Sequence, residues 1–258
     1  MKLEIKKKAF FKSLNAVREN KQSLLYTVLI DLLFFAALFI LGQVFNAISY
    51  SIAAAQLLKA AVIALLYYLA LLFIYSFFKH IVLHLIKSSF GKHDLEFGRL
   101  GKFYLLNIII FVMLLSVFLL LSLLVLNIKQ GIAPYASLLI LLLFSMFAYA
   151  FANINQILFY EGKSLWGSLG MAAKYLGRFN RYYGIYAVII AVFSIIFLLF
   201  TLFGNLLKIT LFQDYDSLLK YGDIYTIIFM HAVGIIFYIA ILFNRYYFYN
   251  IVKEKLLT

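Results

Sequence analysis

From Phe103 to Leu126 the chain reads FYLLNIIIFVMLLSVFLLLSLLVL, without one charged side chain. As a helix rising about 1.5 Å per residue, this run measures about 36 Å, enough to cross a hydrocarbon core of about 30 Å. Five further apolar runs of comparable length are present: Leu24 to Phe45, Ala60 to Ile86, Ile132 to Phe159, Ile185 to Leu207 and Ile224 to Tyr249. Lipid offers no partner to an open backbone group, so each run must close its hydrogen bonds internally as a helix. Membrane strands would be about ten residues long with alternating polarity, and nothing here alternates. The expected fold class is therefore all-α: one polytopic membrane domain over residues 1–258, with six transmembrane helices.

Composition agrees. Only 13% of residues are charged and 66% are hydrophobic, against about 25% and roughly half in soluble domains. The absence of cysteine excludes disulfides, thiolate metal sites and cysteine nucleophiles. The start, MKLEIKKKAFFKSLNAVREN, lacks the apolar core and small-residue cleavage site of a secretory signal and is expected to stay on the protein.

Orientation follows from the cations, because cytoplasmic connections are rich in Lys and Arg. Nineteen of the 23 fall on one side: seven before the first run, then Lys79, Lys87, Lys92, Arg99 and Lys102, then Lys163, Lys174, Arg178 and Arg181, then Arg245, Lys253 and Lys255. The other side holds Lys59, Lys129, Lys208 and Lys220, together with the acidic loop ITLFQDYDSLLKYGD. A multi-pass protein of the cell membrane with both termini cytoplasmic is expected.

A basic segment precedes each pair of runs, dividing the chain into hairpin units of about 1–86, 87–160 and 161–258. Lys12-Ser13-Leu14 recurs as Lys163-Ser164-Leu165. Either a threefold repeat or a plain alternation of spans and loops accounts for this. At 100° per residue, Leu165, Leu169, Ala172, Leu176, Phe179 and Tyr183 share one face, with Lys163, Lys174, Arg178 and Arg181 opposite. The expectation is an amphipathic helix from Leu165 to Tyr183 lying in the interface, its cations on anionic lipid headgroups. The N-terminal segment has the same design, with Leu3, Phe10, Leu14 and Val17 opposing Lys8, Lys12, Asn15 and Glu19. Such segments either fix topology alone or dock lipid or a partner.

The stretch LFYEGKSLWGSLGMAAKYLGRF resembles the segment after the fourth span in six-helix membrane proteins that include the membrane domain associated with glycerophosphodiester phosphodiesterases. Glu161 and Gly162 match the pair that closes the span there, and Ser164 and Ser168 match its serine-containing helix. The Pro and the Arg-Ser pair of that helix are absent here. The resemblance implies an architecture and no activity.

Polar residues inside the apolar runs are the remaining candidates. Asp31 lies about ten residues past Lys21, where an ionised carboxylate costs several kcal/mol unless paired, protonated or wetted. His231 reaches a comparable depth from the opposite side. The two either form a proton-linked pair, or Asp31 bonds within the bundle and His231 is a packed imidazole. Asn153, Asn155 and Gln156, with Asn107 and Asn205, either glue helices or line a solute path. His80 and His84 are spaced i, i+4, with His93, Asp94 and Glu96 nearby, but no Glu follows His80 as zinc-protease motifs require, and Lys79 and Lys87 would repel a metal. No metal, cofactor, serine elbow or P-loop is expected. Cations that follow the membrane pattern are no nucleic-acid footprint. The sequence reads best as a non-enzymatic membrane protein contacting lipid, a membrane-protein partner or a second copy of itself. The alternative is a small transporter or channel using Asp31, His231 and the Asn-rich fourth span.

Overall fold

The computed structural model describes residues 2–50, 56–91, 96–125, 131–176, 194–195, 198–204 and 215–256. Among them there is no strand. The helices are α1 (Lys2–Glu19), α2 (Lys21–Tyr50), α3 (Leu57–Ser88), α4 (Leu100–Val125), α5 (Ala133–Tyr160), α6 (Leu165–Leu176) and α7 (Tyr215–Leu256), with a 3-10 turn over Phe97–Arg99 leading into α4. Five segments are long and apolar enough to cross a membrane: Lys21–Ser49, Leu57–Ser88, Phe97–Val125, Ala133–Tyr160 and Ile224–Glu254. They coincide with five of the six expected runs. The other, Ile185 to Leu207, lies mostly outside the described residues, and its described parts, 194–195 and 198–204, are helical.

Two compact units are present, Met1–Gly177 with Tyr249–Thr258 and Arg178–Phe248. In the first, α2 packs on α3, α3 on α4, α4 on α5 and α5 on α6. Its core is not spread along the helices. It comprises Val82, Leu83 and Ile86 late in α3, Phe103, Leu106 and Ile110 early in α4, Ile154 to Phe159 late in α5, and Ile251 and Val252 late in α7. All of these lie toward the cation-rich ends. Toward the other ends, large side chains such as Phe39 and Ile40 of α2, Leu65 and Leu66 of α3 and Leu119 and Leu120 of α4 are exposed. A water-soluble chain does not expose so much contiguous apolar surface, and lipid covers it at no cost.

The turn from α5 to α6 is written in the residues EGKS. Gly162 takes φ +101°, a region closed to most L-residues. Its N–H bonds the Phe159 carbonyl at 3.1 Å while the Lys163 N–H bonds Leu158 at 3.0 Å, the paired bonds of a Schellman helix stop. Two residues on, the Ser164 hydroxyl accepts the Gly167 N–H at 3.1 Å and so caps the start of α6.

Two expectations need correction here. The apolar face of α6 does not turn to lipid, since Leu169, Ala172 and Leu176 are buried with Ser168 where α6 packs on α5. Trp166 is the large apolar residue of α6 left exposed, at 74%. Residues 177–183 of the expected helix, with Arg178 and Arg181, lie outside the described residues. The acidic loop is in part helical, because α7 begins at Tyr215.

In the second unit the helical stretch 198–204 meets α7. The Tyr225 hydroxyl donates to the Phe200 carbonyl, and Phe200 packs on Tyr225 and Phe229 at 4.9 and 4.7 Å between ring centres.

Candidate functional site at the cation-rich end

Among the α1 side chains described, 10–19, the buried ones are small, Ser13 and Ala16, three apart on one face, while Phe10, Phe11 and Leu14 are exposed. This part of the helix thus lays a narrow small-residue stripe on the protein and leaves Phe10, Phe11 and Leu14 outward. Lys12 bonds Glu254 at 2.9 Å, so this headgroup candidate is already paired within the chain, though both groups are solvated enough to make the pair weak. Asn250 donates to the Ser13 hydroxyl at 3.4 Å and Phe90 stacks on Tyr249 at 5.8 Å, holding the last turns of α7 beside α1 and the end of α3. Asn20, between α1 and α2, donates to the Ser89 carbonyl at 3.2 Å, and Ser23 donates to Leu85 at 2.8 Å. Lys174 is exposed and Lys163 is half-buried; the side chain of Lys8 is outside the described set.

Deeper in the same unit the amides bond across α3, α4 and α5. Gln156 Nε2 donates to Asn107 Oδ1 at 2.7 Å and to the Tyr75 hydroxyl at 3.0 Å. Asn107 Nδ2 in turn donates to Ser76 at 2.9 Å, and Ser76 to the Leu72 carbonyl at 2.7 Å. Lys79 Nζ donates to Asn153 Oδ1 at 2.8 Å, and Asn155 bonds the Phe151 carbonyl of its own helix at 2.8 Å. Asn153, Asn155 and Gln156 are all buried.

Asp31 is 6% exposed and engaged with a neighbour. It continues a polar strip at helical spacing, Ser23, Thr27 and Asp31, a pattern visible in the sequence that marks the face of α2 turned to protein. His231 belongs to the other unit, is exposed, and its Nδ1 bonds the Ile227 carbonyl of its own helix at 2.7 Å.

One cavity of about 210 Å³ stands out, lined by His80, Lys87, Glu96, Arg99, Phe159, Tyr160, Glu161 and Gly162. Lys87, Tyr160 and the turn residues Glu161 and Gly162 come from the ends of α3 and α5, Glu96 and Arg99 from the entry to α4, and His80 from two turns inside α3. Arg99 is anchored by Nη2, which donates to the Phe159 carbonyl at 3.0 Å and the Lys163 carbonyl at 3.5 Å, and its guanidinium lies 4.7 Å from the Phe159 ring centre. It thereby adds a second donor to the Phe159 carbonyl, which already accepts the Gly162 N–H, and sets a cation at the C-terminal end of α5. Lys87 Nζ lies 3.7 Å from Glu161 and 5.4 Å from the centre of the Tyr160 ring. The Tyr249 hydroxyl donates to Glu161.

His80 is 2% exposed, and its Nε2 lies 3.1 Å from the Glu96 carbonyl. A carbonyl only accepts, so Nε2 carries the proton, and in the neutral ring Nδ1 is then a bare acceptor. That Nδ1 has no hydrogen-bond partner. His84, one turn from His80, does not line this cavity, and among the described residues no three His, Asp or Glu side chains gather as a metal group. Sequence reasoning missed Arg99 and Glu161 as site residues, having read them as a topogenic cation and a helix stop. No family model, curated protein or solved structure matches the chain.

Proposed function

We propose that this chain is a non-enzymatic, multi-pass protein of the cell membrane whose cation-rich end faces the cytoplasm and contacts anionic lipid headgroups or a membrane partner. The observation that carries this reading is the layout of α1: small residues buried, Phe10, Phe11 and Leu14 exposed, and basic residues along the same helix. Exposed Trp166 and Lys174 on α6 extend the collar. An apolar rim beside cations is what an interfacial helix needs, with each cation worth about 1 kcal/mol near an anionic surface. The mutual hydrogen bonds of the buried amides favour helix adhesion over a solute path, which is why the transporter reading comes second.

Orientation is tested cleanly because the chain has no cysteine of its own. Single cysteines at Lys129 and Lys208 are expected to react with a membrane-impermeant maleimide on intact cells, and cysteines at Lys12 and Lys174 only after permeabilisation. The reverse pattern would invert the topology.

Lipid contact is tested in nanodiscs. The protein is expected to melt higher in phosphatidylglycerol than in phosphatidylcholine, and a variant with Lys8, Lys174, Arg178 and Arg181 changed to Gln should lose most of that difference. An unchanged difference would leave these cations with topology alone.

A further inference from the structure

We propose that the cavity between the ends of α3 and α5 is a binding site for a phosphoethanolamine zwitterion, the headgroup chemistry of phosphatidylethanolamine. This rests on the membrane reading above only for the source of the ligand. Apart from His80, two turns inside α3, the lining residues stand at the termini of spans Leu57–Ser88, Phe97–Val125 and Ala133–Tyr160, the level at which headgroups lie. A volume of about 210 Å³ is below the range of roughly 300–1,000 Å³ that holds drug-sized ligands, so a headgroup fits and a whole lipid does not.

Its charges are mixed, two cations and two carboxylates. Arg99 is fixed through Nη2 and the Phe159 ring, and among the described residues nothing bonds its Nη1 or Nε. These donors, with Lys87 Nζ, which is beyond hydrogen-bond reach of Glu161 at 3.7 Å, suit phosphate oxygens. For an ammonium group the site offers the Glu96 carboxylate, the Glu161 carboxylate beside the Tyr249 hydroxyl, and His80 in its lining, whose Nδ1 has no partner, an acceptor that a buried site leaves open only at a cost. An anionic headgroup would fill the cationic half and face the two carboxylates. A choline headgroup has no N–H to give His80, and both aromatic faces already carry a cation, Phe159 that of Arg99 and Tyr160 that of Lys87. Only a zwitterion with a primary ammonium satisfies both halves.

The test uses the full-length protein, stripped of lipid in mild detergent and examined by native mass spectrometry with phosphatidylethanolamine, phosphatidylcholine, phosphatidylglycerol and soluble phosphoethanolamine. One phosphatidylethanolamine should bind about tenfold tighter than the other two lipids, the scale of one charge-assisted hydrogen bond. Lys87→Gln and Glu96→Gln, neither of which removes a close hydrogen bond, should each weaken that adduct about tenfold from opposite halves of the site. Binding of the lipid without soluble phosphoethanolamine places the source in the bilayer, whereas binding of both supports a site for the zwitterion from either source. Equal binding of the three lipids, preference for phosphatidylglycerol, or wild-type binding by both variants would overturn the proposal. The quadruple collar variant should keep the adduct, so loss of its phosphatidylglycerol effect and loss of this site are separate results.

Discussion

Replacing Gln156 with leucine is expected to destabilise the purified protein by about 1–3 kcal/mol, the cost of leaving a buried polar group unpaired. Gln156 is 1% exposed and Asn107 3%, and the 2.7 Å bond from Gln156 Nε2 to Asn107 Oδ1 joins α5 to α4. Hydrogen bonds between membrane helices average only about 0.6 kcal/mol, because the separated helices find other partners. Here the stranded group is Asn107, whose Nδ2 stays tied to Ser76 at 2.9 Å, so its carbonyl oxygen cannot turn to a new donor without breaking that bond. The desolvation cost therefore exceeds the average. Adding Asn107→Leu should recover part of the loss, since replacing both partners with apolar groups of similar size is close to neutral. Thermal unfolding of the two single variants and the double variant measures the coupling directly. A Gln156→Leu protein that melts with the wild type would show that these amides do not hold the helices together and would return them to a solute path.

Hydrophobic length located the spans, because a membrane sets a minimum run that few other constraints mimic, and α2 to α5 and the last span lie where the runs predict. Cap chemistry was equally legible: Gly162 at positive φ and Ser164 on the first turn of α6 are local, and local geometry is encoded locally. What the helical wheel could not say is which apolar face meets lipid and which meets protein. Leu169, Ala172 and Leu176 of α6 went to protein and Phe10, Phe11 and Leu14 of α1 stayed exposed, although both faces read as amphipathic. The size of the residues carries the difference, since Ser13 and Ala16 allow close approach of helix to protein and Phe does not. The cavity was illegible for another reason. Its residues are spread from position 80 to position 162, and only tertiary packing brings Arg99 onto the last carbonyls of α5 and Tyr249 onto Glu161.

Asp31 separates the structural from the transport reading. It sits about 15 Å along α2 from Lys21, 6% exposed, on the same face as Thr27 and Ser23, and Ser23 is bonded to α3. With one end of this strip tied into a neighbouring helix, a structural role for Asp31 is the expected outcome. Asp31→Asn keeps the shape and most of the hydrogen bonding and should melt within about 1 kcal/mol of the wild type, whereas Asp31→Leu should lose about 1–3 kcal/mol by leaving its neighbour without a partner. The expected order of melting temperatures is wild type close to Asn, then Leu well below. Leucine as stable as the wild type would mean that nothing in the bundle depends on this carboxyl. Proteoliposomes loaded with a pH-sensitive dye supply the other arm, because asparagine cannot exchange a proton. A proton flux present in the wild type and absent in a normally folded Asp31→Asn protein would make Asp31 a transport residue, and the hydrogen-bonded strip on α2 would then be the support that positions it.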